Sequence, residues 1–327
     1  MAKVLITGAD GFIGSHLAEY LVKQGHQVRA LALYNSFNSW GWLDDSPLKT
    51  QMEILTGDIR DPGLCDEICA SQDFVFNLAA LIAIPYSYRA PHSYVETNVM
   101  GTVNMCKAAL KHQVKQFTQV STSEVYGTAQ YVPIDENHPL QPQSPYSASK
   151  ISSDAMAMSF HNAFQLPVSI VRPFNTFGPR QSARAVIPTL ISQIASGKDV
   201  IEIGDTKPTR DFTFVGDTCR GMTLVGLSPR TVGKTVNIGS NREHSVLDVI
   251  EITKTLMGKT NLRIVQKDDR LRPAQSEVHR LVCDHSLATE IVGYRPEWSF
   301  EEGLRATMDW FLNPSNLQKY KTDIYNV

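Results

Sequence analysis

The chain has 327 residues, of which 42% are hydrophobic and 20% are charged, and its formal net charge is −2. This length is typical of about two domains and can bury a core without disulfide or metal support. With a pI near 6.5 the chain lacks the basic excess of a nucleic-acid binder, so no nucleic-acid partner is expected. The composition also excludes collagenous, low-complexity and disordered proteins.

The first residues, Met1–Gly8, are typical of a strand that runs into a glycine turn, without the apolar core and cleavage site of a secretory signal. The longest apolar stretch, Phe74–Ile84, is too short to span a membrane, so no membrane association is expected. The five cysteines are scattered and odd in number, which favours a reducing cytoplasm. Cys65 and Cys69 lie one helical turn apart without further ligands nearby, so no metal site is predicted.

Short apolar runs alternate with longer amphipathic segments through the first half of the chain. The strands predicted from the apolar runs are Val4–Thr7, Gln27–Leu33, Glu53–Leu55, Phe74–Leu78, Phe117–Ser121 and Val168–Arg172. The helices predicted between them are Ile13–Gln24, Pro62–Ala70, Tyr94–Lys111 and Ser147–Phe164. Strands that are apolar almost throughout, alternating with helices, predict an α/β fold with a doubly wound parallel Rossmann sheet.

The pattern loosens after Pro173, where proline and glycine interrupt it, and Thr235–Gly239 is predicted to return to the sheet. We therefore expect a dinucleotide-binding domain over residues 1–175, to which residues 213–241 return. The remaining residues, 176–327, are expected to form a smaller mixed α/β lobe that binds the substrate.

Three glycines follow the first predicted strand, in the run Gly8-Ala9-Asp10-Gly11-Phe12-Ile13-Gly14. A glycine turn between a strand and a helix lets backbone approach a pyrophosphate, which the free N–H groups of the helix N-terminus then bind. We expect Gly8, Gly11, Phe12, Ile13 and Gly14 to bind NAD or NADP, the alternative being a tight turn without a ligand.

The second predicted strand ends without the acidic residue that ordinarily binds the adenosine ribose of NAD. The polar residues that follow it, Asn35 and Ser36, with Arg29, could accept a 2′-phosphate instead, which favours NADP slightly and leaves NAD open. Asp58 and Ile59, after the third strand, are placed to contact the adenine; an ordinary surface turn explains them nearly as well.

Four residues predict proton-transfer chemistry. Tyr146 and Lys150 are four residues apart on one helix face, where a cation favours the phenolate form of tyrosine. Thr122 and Glu124 follow the fifth strand, at the sheet edge where doubly wound folds bind ligands. Thr122 can hydrogen-bond a reacting hydroxyl, and Glu124 can remove a proton next to a new ketone and return it to a leaving hydroxyl.

These residues resemble those of the extended short-chain dehydrogenase/reductases, the nucleotide-sugar epimerase/dehydratase family, over essentially the whole chain. The motifs that carry the resemblance are Thr7–Ser15, Asn77–Ala80, Thr97–Thr102, Tyr146 with Lys150, Arg172–Asn175, Arg210–Asp217 and Arg272-Pro273.

The resemblance implies a role for each matching residue. Tyr146 would be the base, Lys150 would bind the cofactor ribose, and Thr122 would share the O4 proton of the sugar. Further contacts to the cofactor are implied for Leu78, Ala79, Ala80 and Asn98. Contacts to the substrate are implied for Ser87, Ser123, Asn175, Arg184, Val186, Arg210 and Arg272, the last two on the diphosphate.

The triplet Thr122-Ser123-Glu124 resembles that of GDP-mannose 4,6-dehydratases, and UDP-glucuronate decarboxylases share it. The segments Tyr34–Trp42, Leu81–Tyr88 and Gly178–Ala185 resemble the legionaminic-pathway dehydratases that act on nucleotide-linked N-acetylglucosamine. The expected reaction is therefore 4,6-dehydration of UDP- or GDP-N-acetylglucosamine with tightly bound NAD(P). A 4-epimerase, the decarboxylase and a regulator without catalytic activity remain alternatives.

The resemblance also implies a homodimer. In this family, helices corresponding to Tyr94–Lys111 and Ser147–Phe164 pair across a four-helix bundle, and the methionines on these segments suit such a face.

Overall fold

The computed structural model describes residues 1–321, in which strands and helices alternate as expected. The strands are β1 (Lys3–Thr7), β2 (Gln27–Leu33), β3 (Met52–Gly57), β4 (Phe74–Asn77), β5 (Gln116–Val120), β6 (Val168–Pro173), β7 (Thr176–Phe177), β8 (Val200–Ile203), β9 (Thr209–Arg210), β10 (Thr213–Phe214), β11 (Thr235–Ile238), β12 (His244–Ser245), β13 (Arg263–Gln266) and β14 (Arg280–Leu281). The helices are α1 (Phe12–Lys23), α2 (Pro62–Cys69), α3 (Ile84–Ser87), α4 (Pro91–Tyr94), α5 (Gly101–Lys111), α6 (Pro145–Phe164), α7 (Val186–Ala195), α8 (Val215–Gly226), α9 (Val246–Leu256), α10 (Ser286–Val292), α11 (Phe300–Leu312) and α12 (Pro314–Leu317).

Seven strands form one parallel sheet in the order β11-β6-β5-β4-β1-β2-β3. Connections from β1 run outward to β2 and β3, and then return to β4 on the other side of β1. This reversal between β1 and β4 is the point at which doubly wound sheets open a crevice at the carboxyl ends of their strands. The predicted α/β fold with a parallel Rossmann sheet is confirmed.

Both faces of the sheet are buried, which explains why most of its strands carry apolar residues at consecutive positions. An exception is β5, whose residues are all buried although Gln116, Thr118 and Gln119 are polar. Neighbouring residues of β1 point to opposite faces: Ile6 packs in the cluster that contains Leu17 of α1 and Met222 of α8. Leu5 packs in the cluster on the other face, which contains residues of α2, α5 and α6 such as Phe160. Helices therefore cover the sheet on both sides.

The residues after β6 build three small sheets beside the large one, β10-β7, β12-β9-β14 and β13-β8. The strand β11 belongs to the large sheet, where Val236 pairs with Val171 of β6. The division into a domain over residues 1–175 and a lobe over 176–327 stays a prediction, and the last six residues of that lobe lie outside the described part of the chain.

The helix predicted over Tyr94–Lys111 is built from three pieces: α4, a π-helical stretch over Val95–Met100, and α5. A π-helical stretch widens the turn locally and is frequent at functional sites. Here it contains the buried Asn98, whose carboxamide bonds to Leu81 and Ser149.

The cysteines are all free thiols inside the core. Burial raises the pKa of Cys65 to about 12, and that of Cys69 likewise to about 12. Within residues 1–321 there is no cluster of three potential metal-binding side chains. No helix in that range is both long and apolar enough to cross a bilayer.

Candidate active site

A cavity of about 830 Å³ opens at the carboxyl ends of the central strands. Most of the sequence-predicted site residues line it: Gly8, Gly11, Phe12, Ile13, Gly14, Asp58, Ile59, Leu78, Ala79, Ala80, Thr122, Ser123, Glu124, Tyr146, Lys150, Asn175, Arg184, Val186, Arg210 and Arg272. Four predicted residues, Asn35, Ser36, Ser87 and Asn98, are not among its lining residues. The cavity thus joins the expected cofactor residues to the expected substrate residues.

The glycine turn between β1 and α1 has no room for a side chain at Gly8 or Gly14. Gly8 has a φ of +66°, and a Cβ there would lie 2.9 Å from the backbone of Ala79. A Cβ on Gly14 would lie 2.1 Å from the carbonyl oxygen of Gly8. The first turn of α1 has no side-chain cap, so its N–H groups are available to an anion. This cradle fits the pyrophosphate of a dinucleotide.

Two of the three residues expected to bind a 2′-phosphate, Asn35 and Arg29, are engaged in other hydrogen bonds. The Asn35 carboxamide donates to the carbonyl oxygens of Leu33 and Ser39 and accepts from the N–H groups of Phe37 and Ser39. The Arg29 guanidinium bonds to Glu53 and to two carbonyl oxygens near the end of α2.

Asp10 of the glycine turn lines the cavity next to Leu33, the last residue of β2. Burial raises the pKa of its carboxyl group, and contacts with the backbone of Asp10 and Leu33 oppose that rise. The loop after β2 folds over this residue, because the N–H of Trp42 donates to the Asp10 carbonyl oxygen at 3.0 Å. Sequence reasoning missed Asp10, since the expected position for an acid was the end of β2.

At the end of β3, Asp58 is held by Arg60 through both side-chain and backbone hydrogen bonds. Burial alone would raise the pKa of Asp58, but the bonds and charge of Arg60 outweigh burial and lower it. This edge of the cavity therefore carries the carboxylates of Asp10 and Asp58 beside one guanidinium, which is itself paired.

Tyr146 and Lys150 project from the first turns of α6. The helix begins at Ser144, whose hydroxyl accepts from the N–H of Ser147 in a capping box, and Pro145 fixes the first helical residue. Burial raises the pKa of Tyr146, and interaction with the Thr122 hydroxyl opposes the rise. Burial lowers the pKa of Lys150 to about 8, against the opposing charge of Asp154. The sequence predicts only the effect of the neighbouring cation on Tyr146, whereas in the structure burial acts against ionisation of both groups.

Thr122, Ser123 and Glu124 follow β5 in a tight helical turn. The Thr122 hydroxyl caps this turn by accepting from the Glu124 N–H at 3.2 Å. The Glu124 carboxylate is 9% exposed at the level of the residue and faces Arg272, with 3.9 Å between their nearest charged atoms. A carboxylate therefore lies in the same cavity as the phenol of Tyr146.

Several predicted substrate residues line a part of the cavity that we call the substrate wall: Asn175, Arg184, Val186, Arg210 and Arg272. Arg210 and Arg272 both contact the carboxylate of Glu277, a residue that sequence reasoning missed. The side-chain oxygen of Asn175 is buried without a hydrogen-bond partner among the described residues, so it can accept a bond from a ligand. Arg184 bonds to the Ser182 hydroxyl, and the buried Ser87 bonds to the Ile84 carbonyl oxygen.

A buried ion pair lies behind α6, the helix that carries Tyr146 and Lys150. Arg172 of β6 donates to Asp154 of α6 at 3.1 Å, and the Ser121 hydroxyl donates to the same carboxylate oxygen at 2.6 Å. Lys150, one turn before Asp154, donates to the carbonyl oxygen of Val120 at 2.7 Å. These bonds join α6 to the ends of β5 and β6. The position of Asp154, four residues after Lys150, is the one sequence signal that could have indicated this ion pair.

Comparison with known proteins bears on the nature of this site. The profile of the GDP-mannose 4,6-dehydratase family matches residues 5–307. The chain belongs to this family. It is 35% identical over 313 residues to the low-salt glycan biosynthesis protein Agl12 of Haloferax volcanii, covering 94% of this chain and 98% of the relative. It is 33% identical over 312 residues to a dTDP-glucose 4,6-dehydratase of Streptomyces antibioticus, covering 94% and 92%.

Solved structures of similar proteins share the fold over nearly the whole chain. The dTDP-glucose 4,6-dehydratase DesIV of Streptomyces venezuelae, with NAD bound, superposes with a TM-score of 0.86 at 29% identity, covering 98% and 99% of the two chains. The NAD-dependent NDP-hexosamine 5,6-dehydratase TunA gives 0.84 at 29% identity, covering 99% and 100%. The UDP-glucuronic acid 4-epimerase of Bacillus cereus, with NAD, gives 0.83 at 29% identity, covering 94% and 98%.

The predicted family and the prediction of an NAD(P)-dependent enzyme of this kind are thereby confirmed. The similar solved structures support NAD as the cofactor. Because dehydratases and an epimerase are both similar to the chain, membership alone does not select the reaction.

The Asp154→Asn variant tests how much the buried ion pair contributes to the stability of the fold. Without the carboxylate, the buried guanidinium of Arg172 keeps its charge but loses its counter-ion. We expect the free energy of unfolding to fall by about 3–5 kcal/mol, measured by denaturant titration. The exposed Asp66, which pairs with Lys111, is a matched control, and Asp66→Asn should change it by less than about 1 kcal/mol. Equal effects of the two variants would contradict the assignment.

Proposed function

We propose that the protein is a nucleotide-sugar 4,6-dehydratase that converts an NDP-linked N-acetylglucosamine, UDP or GDP, to the 4-keto-6-deoxy sugar. The observation that carries the proposal is Glu124, a carboxylate in the cavity that holds Tyr146 and Thr122. Proton removal from C5 needs such a base, whereas 4-epimerisation needs only the groups that act on O4. Relatives named as 4,6-dehydratases support the same conclusion.

The chain's own residues would act in sequence. Tyr146, in contact with Thr122, takes the proton of O4 as C4 is oxidised. The resulting ketone acidifies C5–H, and Glu124 removes that proton. Ser123 is not acidic, so Glu124 also donates a proton to O6 as water leaves. Bound NAD would supply the hydride acceptor at C4 and the hydride donor at C6. C5 would regain a proton from solvent, through Glu124, as the hydride reaches C6, so no net oxidation occurs.

The substrate wall would bind the nucleotide sugar. Arg210 and Arg272 provide guanidinium groups, which suit a diphosphate because they donate several hydrogen bonds in a plane. Asn175 and Ser123 would contact the sugar, with Ser87 behind them, and Arg184 and Val186 would pack near the nucleotide. The solved structure of an NDP-hexosamine dehydratase similar to this chain supports an amino-sugar substrate.

The proposed contacts to the cofactor begin at the glycine turn. Gly8, Gly11, Phe12, Ile13 and Gly14 would bind the pyrophosphate, and Lys150 the nicotinamide ribose. The other proposed contacts are Leu78, Ala79 and Ala80, with Asn98 fixing the neighbouring backbone. Asp58 and Ile59 would face the adenine. Asn35 and Ser36 stay sequence predictions for the adenosine ribose, since neither lines the cavity and the Asn35 carboxamide bonds to its own loop.

We propose NAD rather than NADP as the preferred cofactor, in place of the slight NADP preference suggested by the sequence. The carboxylate that is missing from the end of β2 is supplied from the glycine turn by Asp10, which lines the cavity beside Leu33. A carboxylate there can accept a hydrogen bond from a ribose hydroxyl, and it would repel a 2′-phosphate.

A 4-epimerase is the second candidate, supported by the similar UDP-glucuronic acid 4-epimerase. UDP-glucuronate decarboxylation is a further alternative. We also propose a cytoplasmic homodimer, for which three exposed apolar residues on or near the two predicted helices, Val95, Met100 and Phe164, offer contact area.

The Glu124→Gln variant separates oxidation at C4 from elimination. With UDP- or GDP-N-acetylglucosamine, we expect reduced cofactor to form while loss of water slows at least about 100-fold, because the base at C5 is gone. The absorbance of reduced nicotinamide and the mass of the sugar report the two steps. Glu67→Gln, at an exposed site on α2, should behave like the wild type. Dehydration by Glu124→Gln at the wild-type rate would refute the proposal.

The Asp10→Ser variant tests the cofactor preference. The wild type should bind NAD much more tightly than NADP, and the variant should reduce that ratio by about tenfold or more, since the repulsion of a 2′-phosphate is lost. Competition between the two dinucleotides, with the bound fraction identified after denaturation, gives the ratio. Asp45→Asn, at a surface ion pair with Lys319, makes the same charge change as a control. An unchanged ratio would contradict the role of Asp10.

A further inference from the structure

Four charged side chains meet on the substrate wall of the cavity. Arg210 donates to the carboxylate of Glu277 at 3.3 Å, and Arg272 lies 3.8 Å from the same oxygen. Arg272 also lies 3.9 Å from Glu124. Two guanidinium groups thus face two carboxylates.

The position of Glu277 is fixed by its backbone. Its carbonyl oxygen accepts from the side chains of Thr128 and Gln143. The preceding residue, Ser276, donates to the Gln143 carbonyl oxygen at 2.5 Å, directly before the start of α6. The Glu277 side chain is 15% exposed and that of Arg210 is 8% exposed. This carboxylate is therefore part of the built site, unlike a mobile surface acid, and none of the proposed proton transfers uses it.

The contacts of Glu277 are with the two arginines proposed for the diphosphate. A nucleotide diphosphate brings further negative charge to guanidinium groups that already share a carboxylate. The diphosphate either displaces the Glu277 carboxylate from the arginines or binds beside it and is repelled by its like charge. In both cases the affinity of the site for the diphosphate is reduced. Glu124, the other carboxylate of the cluster, is already assigned to proton transfer.

We propose that Glu277 limits the affinity of the site for the diphosphate, by holding a carboxylate on the guanidinium groups of Arg210 and Arg272. This inference rests on the proposed function, because it takes the diphosphate to bind these arginines. Weaker binding of the diphosphate would favour product release. The diphosphate does not change during the reaction, so tight binding to it would hold substrate and product equally and would slow product release.

The Glu277→Gln variant removes the charge and keeps the shape of the side chain. We expect UDP and inorganic pyrophosphate to bind it about tenfold more tightly than the wild type in calorimetric titration, because the guanidinium groups are no longer shared. Uridine, which has no phosphate, should bind both proteins equally. Glu53→Gln, which removes the carboxylate paired with Arg29 outside this cavity, is the matched control and should leave every affinity unchanged.

Unchanged or weaker pyrophosphate binding by Glu277→Gln would overturn the inference. So would a variant that binds a UDP-sugar more weakly but UDP as before, because Glu277 would then recognise the sugar. If Glu277→Gln fails to fold, Glu277→Asp shortens the side chain by one methylene and should give a smaller increase in affinity of the same sign. The pyrophosphate titration needs no turnover, so it decides the role of Glu277 even if the sugar chemistry is not dehydration.

Discussion

The buried ion pair between Arg172 and Asp154 is the interaction on which the arrangement of the site depends. It lies between the catalytic helix and the sheet, and the hydroxyl of Ser121 completes it at the end of β5. A charged pair in the interior is costly to break, because either partner alone would remain a buried charge. The pair therefore fixes α6 against the strand that leads into Thr122 and Glu124. The relative positions of the phenol, the ammonium and the carboxylate follow from it.

The same principle of balanced charge extends across the cavity. Lys150 is fully buried and keeps a carbonyl oxygen as its direct partner, with Asp154 as the nearest opposing charge. On the substrate wall, Arg210 and Arg272 are balanced by Glu277 and Glu124. Guanidinium groups that already face carboxylates can bind an anionic substrate without holding it so firmly that the product cannot leave.

Much of the fold could be predicted from the sequence, because most strands of a sheet covered on both faces carry apolar residues at consecutive positions. The helical spacing of Tyr146 and Lys150 and the position of Glu124 after β5 were equally local signals. Asp10 and Glu277 could not be found in this way, since their importance depends on which distant residues they meet. Asn35 is the opposite case: its polar side chain suggested a contact to a phosphate, but in the structure its carboxamide bonds to its own loop. The π-helical stretch around Asn98 also has no signature in the hydrophobic pattern.

The most direct test of the account is to incubate the purified protein with UDP- and GDP-N-acetylglucosamine in D₂O and to follow the sugar by NMR and mass spectrometry. A 4,6-dehydratase removes one water from one of these substrates and incorporates deuterium at C5, because the original C5 proton is removed and the one that C5 regains comes from solvent. That is the predicted result, and it also identifies the nucleotide. A product of unchanged mass with inverted configuration at C4 would contradict the account and would assign the protein as an epimerase.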